Sequence, residues 1–159
     1  MKFFTILIHL IIVVFLTLVT QIGGVVWCIN LAISSLYNKS NKKLFSIASF
    51  ILLYLLFTFA IIPPMANQFG RTPLPANKHG VLAPHTYLTV LSNRHYVTPA
   101  LKSELEDIAN QYAKLNPSLK TIYLDANFPF IDGFPLLPHL SHNDGKKVDL
   151  SFIYSKMEN

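Results

Sequence analysis

Residues 3–37 and 44–62 contain no charged side chain, and two such stretches suit a bilayer better than the core of a small soluble domain. Residues 3–19 and 44–62 read as transmembrane helices. The second is expected to close at Pro63-Pro64, since proline removes a backbone donor and clashes with the preceding turn. A cleaved signal peptide would be followed by polar mature sequence. Here the apolar character runs on through Val25-Val26-Trp27-Cys28 to Leu36-Tyr37. Gln21-Ile22-Gly23-Gly24 is either a bend inside one long tilted helix or a hairpin between two crossings. The first gives spans of 3–36 and 44–62 and the second gives three crossings; length favours two. His9 and Asn30, polar within this block and without charged partners nearby, are expected to pack between helices or lie at the interface.

The formal charge of +5 sits around these spans. Up to Ile62 the only charges are Lys2, Lys39, Lys42 and Lys43, whereas from Pro63 onward nine Lys or Arg face eight Asp or Glu, a balance of +1. No basic stripe remains to grip phosphates along a nucleic acid, so nucleic acid is not an expected partner and membrane lipids are. The lysine-bearing loop 38–43 belongs in the cytoplasm by the positive-inside rule. The chain after residue 64 is then delivered to the periplasmic or extracellular side of an inner (cytoplasmic) membrane. The single cysteine, Cys28, lies in the apolar block, which leaves the exported part without disulfide or thiol chemistry.

The expected fold class is a membrane-anchored α+β protein, divided into a transmembrane region (1–64), a Pro-, Gly- and Asn-rich linker (65–85) and a small exported domain (86–159) of one helix on an antiparallel sheet. Residues 86–91 have the β-branched and aromatic content of a first strand, turned by Ser92-Asn93-Arg94-His95. Thr98-Pro99 starts a helix with Leu101, Leu105, Ile108, Ala109, Tyr112 and Leu115 along one face, ended by Asn116-Pro117. Its acidic residues Glu104, Glu106 and Asp107 read as a solvated face. Residues 120–126 and 147–154 are expected strands. In the latter Val148, Leu150, Phe152 and Tyr154 share one face and Asp149 takes the other. The apolar loop 128–135 between them reads as a lid packed on the core.

Chemistry concentrates in residues 138–150. His142 and Asp149 supply an imidazole and a carboxylate, two of the three protein ligands of an open zinc site. Gly145 between them lets the loop turn. Ser141-His142-Asn143-Asp144-Gly145-Lys146-Lys147-Val148-Asp149 resembles the Ser-His-x-x-Gly-x-x-x-Asp signature of the LAS metallopeptidases, the group of lysostaphin, D-Ala-D-Ala peptidases and hedgehog domains. With His139 in front, the pattern resembles the penicillin-insensitive murein endopeptidase branch more than the carboxypeptidases.

The resemblance implies zinc held by His142 and Asp149, and hydrolysis of amide bonds in peptidoglycan peptides. That family takes its third ligand, a histidine, and its catalytic base from sequence beyond the aspartate. Here no histidine follows His142. His139, His95 and His85 are candidate substitutes, the catalytic residues are unassigned, and Lys146 and Lys147 would oppose a dication unless they turn to solvent. Three alternatives stay open. The chain is the N-terminal part of a membrane-anchored murein peptidase, incomplete and inactive alone; or a non-catalytic membrane protein with a degenerate peptidase-like binding or scaffold domain; or a small membrane protein in which the motif is accidental.

Overall fold

The computed structural model describes residues 2–37, 40–136 and 140–151 and divides into two compact units, Met1–Met65 and Ala66–Asn159. The first is helical and the second α+β. Two helices, Phe3–Thr20 and Lys42–Gln68, are long and apolar enough to cross a membrane.

In the first unit α1 (Lys2–Thr20), α2 (Gly23–Leu36) and α3 (Lys42–Leu56) run up, down and up. The stretch 3–36 is therefore not one tilted helix. It reverses at Gln21, which takes a left-handed φ of 64° and so ends α1 in the manner of a C-terminal glycine. The reversal is tied by Thr20, whose hydroxyl accepts the Gly23 N–H at 2.8 Å and donates to the Leu16 carbonyl at 2.8 Å. Gly23-Gly24 serves close approach rather than bending. A Cβ on Gly24 would fall on Thr17 Oγ1 and come within 2.7 Å of the Val13 carbonyl oxygen. His9 meets Trp27 (5.9 Å between ring centroids), Trp27 meets Phe50 (5.2 Å) and Tyr37 stacks on Phe45 (4.1 Å), so both helix pairs are antiparallel. Asn30 is fully buried and takes the packing role expected of it. Its Nδ2 donates to Ser46 Oγ at 3.2 Å and its Oδ1 accepts from Ser49 Oγ at 2.6 Å.

Pro63-Pro64 does not close the second long helix. A π-helical turn, Phe57–Ile61, precedes the prolines, and α4 (Ile62–Gln68) continues the same rod. The Ile62 N–H reaches five residues back to the Phe57 carbonyl. The wider turn makes room for the proline rings, which bring no N–H to bond the preceding turn.

The second unit holds β1 (Thr72–Pro73), β2 (Leu82–Pro84), α5 (Tyr87–Leu91), β3 (Tyr96–Val97), α6 (Pro99–Leu115), β4 (Thr121–Asp125) and β5 (Asp149–Leu150). Strands β1 and β3 pair antiparallel. The other three form a sheet in the order β2-β4-β5. The expected antiparallel sheet is thus corrected to a mixed one, because β2 and β4 are parallel and α6 lies in the crossover that a parallel pair requires. Segment 65–85, expected as a linker, carries β1 and β2 and sends Leu74, Leu82 and Ala83 into the interior. Segment 86–91, expected as a strand, is the helical turn α5. Only Val90 of α5 is buried while Tyr87 and Leu88 are exposed, so no two-residue alternation is realised. Asn93, with φ 56°, turns the chain after it.

Helix α6 begins as expected, with the Thr98 side chain accepting the Leu101 N–H and Pro99 in the first position. Leu105 and Ala109 are buried and Leu101 is partly covered, together with Leu74, Leu82, Val97, Tyr123, Ala126 and Val148. Ile108, Tyr112 and Leu115 are exposed instead. A helix of 17 residues overreaches a sheet whose central strand has five, so the apolar face is covered only over its first half. On β5 the expected alternation also fails. Val148 packs on the core but Leu150 is 40% exposed, after a register irregularity opposite Tyr123 and Asp125. Residues 152–154 of that expected strand lie outside the described residues.

Candidate functional site

The sheet end at Ala126-Asn127 is where the 140–150 segment returns to the core. Asn127 is 1% exposed and its backbone exchanges hydrogen bonds with Tyr96 at 3.0 and 3.1 Å. That pairing fixes its side chain. Oδ1 accepts the Gly145 N–H at 3.1 Å and Nδ2 donates to the Lys147 carbonyl at 2.8 Å. One amide therefore holds the loop on both sides of its tightest point. The Gly145 carbonyl accepts the Thr98 N–H at 2.8 Å, docking the loop on the start of α6.

Gly145 itself has φ 75°, and an added Cβ would fall on the guanidinium of Arg71. Backbone conformation and close approach both call for glycine there. Arg71 is 3% exposed and pairs with Asp132, while its Nη1 has no hydrogen-bond partner among the described residues. Charge from the expected linker thus lies directly beneath the motif loop.

Held this way, His142 is 6% exposed. Its Nδ1 lies 3.2 Å from the Ala126 carbonyl and its Nε2 lies 3.2 Å from Asp149 Oδ1. A carbonyl accepts only, so Nδ1 carries a proton. Nε2 then meets the carboxylate in one of two ways: as a second N–H, in an imidazolium–carboxylate ion pair, or as a lone pair with a cation shared between them. Two ligands on one tetrahedral zinc, each about 2.0–2.2 Å from the metal, stand about 3.3–3.5 Å apart. The observed 3.2 Å lies just below that range and within reach of a direct imidazolium–carboxylate pair, and a backbone carbonyl behind Nδ1 is a usual partner of a ligating histidine.

Lys147 is tied back onto the loop rather than turned fully to solvent. Its Nζ donates to the Ser141 carbonyl at 2.8 Å and lies 3.9 Å from Asp144 Oδ2. The Asp144 carboxyl is held below its ordinary range first by the Lys146 N–H bonded to it, with burial opposing and the Lys147 charge adding a smaller lowering effect.

Among the described residues, no three His, Cys, Asp or Glu side chains come together as a metal-binding group. His85 and His95 therefore do not join His142 and Asp149, and His139 lies outside the described residues. His95 is buried in its own setting beside Tyr96, 4.7 Å between ring centroids. Burial, aided by the Lys102 charge, lowers its pKa to about 4. Burial also pushes the phenols of Tyr96 and Tyr123 up, and Tyr123 donates to the Pro75 carbonyl at 2.8 Å. Glu104 and Asp107 are exposed and Glu106 faces Lys102 at 3.9 Å, the solvated face expected of them.

The motif reading missed the Ala126 carbonyl, Asn127 and Arg71. Backbone carbonyls carry no sequence signal, and Asn127 and Arg71 reach the loop through pairings distant in sequence. Comparisons with protein-family descriptions, characterised proteins and solved structures return no match.

Proposed function

We propose that this chain is a membrane-anchored, zinc-binding protein of murein-peptidase type, with His142 and Asp149 as metal ligands and peptidoglycan peptides as the partners of its second unit. The observation that carries the reading is the His142 geometry: Nδ1 against the Ala126 carbonyl, and Nε2 set 3.2 Å from Asp149 Oδ1. Bound zinc would polarise an amide carbonyl and lower the pKa of water. The chain's own residues hold the ligands for that task. Ala126 fixes the imidazole tautomer, Asn127 and Gly145 set the loop, and Lys147 is turned onto Ser141 and Asp144. Amide hydrolysis needs a third ligand and a base in addition, so the pair alone binds metal without catalysis.

Anchoring in the membrane is supported by the two long apolar helices and by exposed Phe3, Phe4, Ile11, Phe15, Leu52 and Phe59 around them. The up-down-up order puts Lys2 at the same end of the helical unit as Lys42 and Lys43. One end is therefore basic, which supports a cytoplasmic location for it and an external one for the chain beyond α4.

The test is zinc uptake by the full chain in detergent, measured by equilibrium dialysis. About one zinc per chain is expected, with His142→Ala and Asp149→Ala each abolishing it. No uptake by the wild-type chain would reduce the pair to a structural ion pair. Stoichiometric uptake without cleavage of cross-linked muropeptides is the expected pattern for a non-catalytic binding domain.

A further inference from the structure

The basic end of the helical unit holds a second polar constellation. A cavity of about 480 Å³ opens between α2 and α3, lined by Leu31, Ser34, Ser35, Lys42, Lys43 and Ser46. Ser34 is 5% exposed and its Oγ has no hydrogen-bond partner among the described residues. A buried hydroxyl left unsatisfied is costly, and in a residue that lines a cavity it points to a ligand that completes it. Ser46 accepts from Asn30 and keeps its own O–H to donate.

Charge at this place is uncompensated. Helix α3 starts here with Asn41 at its N-cap, no side-chain capping bond and no acidic residue in its first turn. Open N–H groups and the positive end of the helix dipole therefore coincide with the Lys42 and Lys43 ammonium groups. Residues 1–62 contain no Asp or Glu at all. Nothing in the unit can neutralise this cluster.

We propose that the cavity binds a phosphate group, cradled by the Ser34 and Ser46 hydroxyls and the start of α3 and neutralised by Lys42 and Lys43. Helix N-termini with added cations and hydroxyl donors suit phosphate oxygens. The source is the headgroup of an anionic phospholipid, since Leu36 and Leu44, 86% and 67% exposed, flank the site as apolar ground for acyl chains. That choice of source rests on the membrane reading, whereas the phosphate chemistry does not, and neither depends on zinc.

Native mass spectrometry of the full chain in neutral detergent tests the site, with phosphatidylglycerol, phosphatidylcholine and inorganic phosphate as separate probes. One phosphatidylglycerol retained per chain is expected, and none or far less phosphatidylcholine. The Lys42→Gln/Lys43→Gln double variant is expected to weaken retention about thirtyfold. Ser34→Ala alters no charge and removes a group with no hydrogen-bond partner among the described residues, so the fold is expected to tolerate it, and it is expected to weaken retention about tenfold. Equal retention of both lipids, or phosphatidylglycerol binding unchanged in Ser34→Ala, overturns the proposal. Inorganic phosphate retained with the same sensitivity to Ser34→Ala, without lipid retention, keeps the phosphate site and overturns the lipid source.

Discussion

Gly145 and Gly133 share a left-handed backbone, with φ of 75° and 77°, but differ in surroundings: a Cβ on Gly145 meets the Arg71 guanidinium, and one on Gly133 meets nothing within 4 Å. Alanine at Gly133 is expected to cost about 1 kcal/mol, the strain of the conformation alone. At Gly145 overpacking against a buried arginine adds to that, for about 3 kcal/mol in total. Urea unfolding of the full chain in detergent, followed by near-ultraviolet circular dichroism, separates the two; equal losses would remove the Arg71 contact from the account. His95 gives a pH prediction. Its folded pKa is depressed from 6.5 to about 4, chiefly by burial. The unfolded chain takes up a proton as pH falls below 6.5, while the folded one refuses it until about 4. Stability from this residue is therefore complete above pH 6.5 and declines toward pH 4, by about 3 kcal/mol. His95→Phe is expected to flatten the melting temperature of the second unit between pH 6.5 and 4.5. A slope unchanged by the substitution would assign it to other groups. That His142 and Asp149 meet was legible from the motif, as was the need for glycine between them. Arg71 was not, because its position beneath Gly145 depends on the path of a segment with no periodic pattern.

Helices α1, α3 and α6 and strand β4 were legible because their signals are local: uninterrupted apolar runs, the Thr98-Pro99 start, and a β-branched and aromatic run at 121–125. Strands β1 and β2 were not. They are two and three residues long and contain Pro73 and Pro84, and only pairing with segments about 25 and 40 residues away makes them strands, a separation outside any local window. The hairpin at Gln21 was legible as an alternative but not as the outcome, since the choice depends on how α2 packs between its neighbours. Asn30 is the polar link in that packing. Its bonds to Ser46 and Ser49 join α2 to α3, and such interhelical bonds within membranes are worth about 0.6 kcal/mol on average and about 1.7 at most. Asn30→Ala should therefore cost about 1 kcal/mol, read as an earlier transition of the full chain in detergent titrated with sodium dodecyl sulfate. Ser46→Ala combined with Asn30→Ala should cost less than the sum of the two single changes, because both break the same bond. Strict additivity would exclude the network.

If the helical unit spans a membrane as proposed, the hairpin at Gln21 sets its topology, and this can be tested independently of zinc or lipid. A single tilted span over 3–36 would put Met1 and the 38–43 loop on opposite sides. In a membrane, the antiparallel α1 and α2 would put the starts of α1 and α3 on the same side, the arrangement the proposed topology favours, since Lys2, Lys42 and Lys43 would then lie at one cytoplasmic end. Helix α2, with 14 residues, rises only about 21 Å, less than the roughly 30 Å hydrocarbon core. The 27 residues from Lys42 to Gln68 rise about 40 Å, long enough to cross it with length to spare. A short α2 keeps its buried face, Val26, Asn30 and Ser34, between longer neighbours, and in a bilayer local thinning or tilt would accommodate its ends. In a Cys28→Ser background, single cysteines at Ser40 and Ser103, both exposed, report the two ends to a membrane-impermeant maleimide. Ser103→Cys is expected to react in intact cells. Ser40→Cys and an epitope at Met1 are expected to become accessible only after permeabilisation. An epitope at Met1 accessible from outside, with Ser40→Cys protected, would restore the single tilted span and remove the hairpin from the membrane-embedded protein. Ser40→Cys reacting in intact cells would place the basic end outside, and with it the phosphate cavity and the opposite orientation of the His142 site.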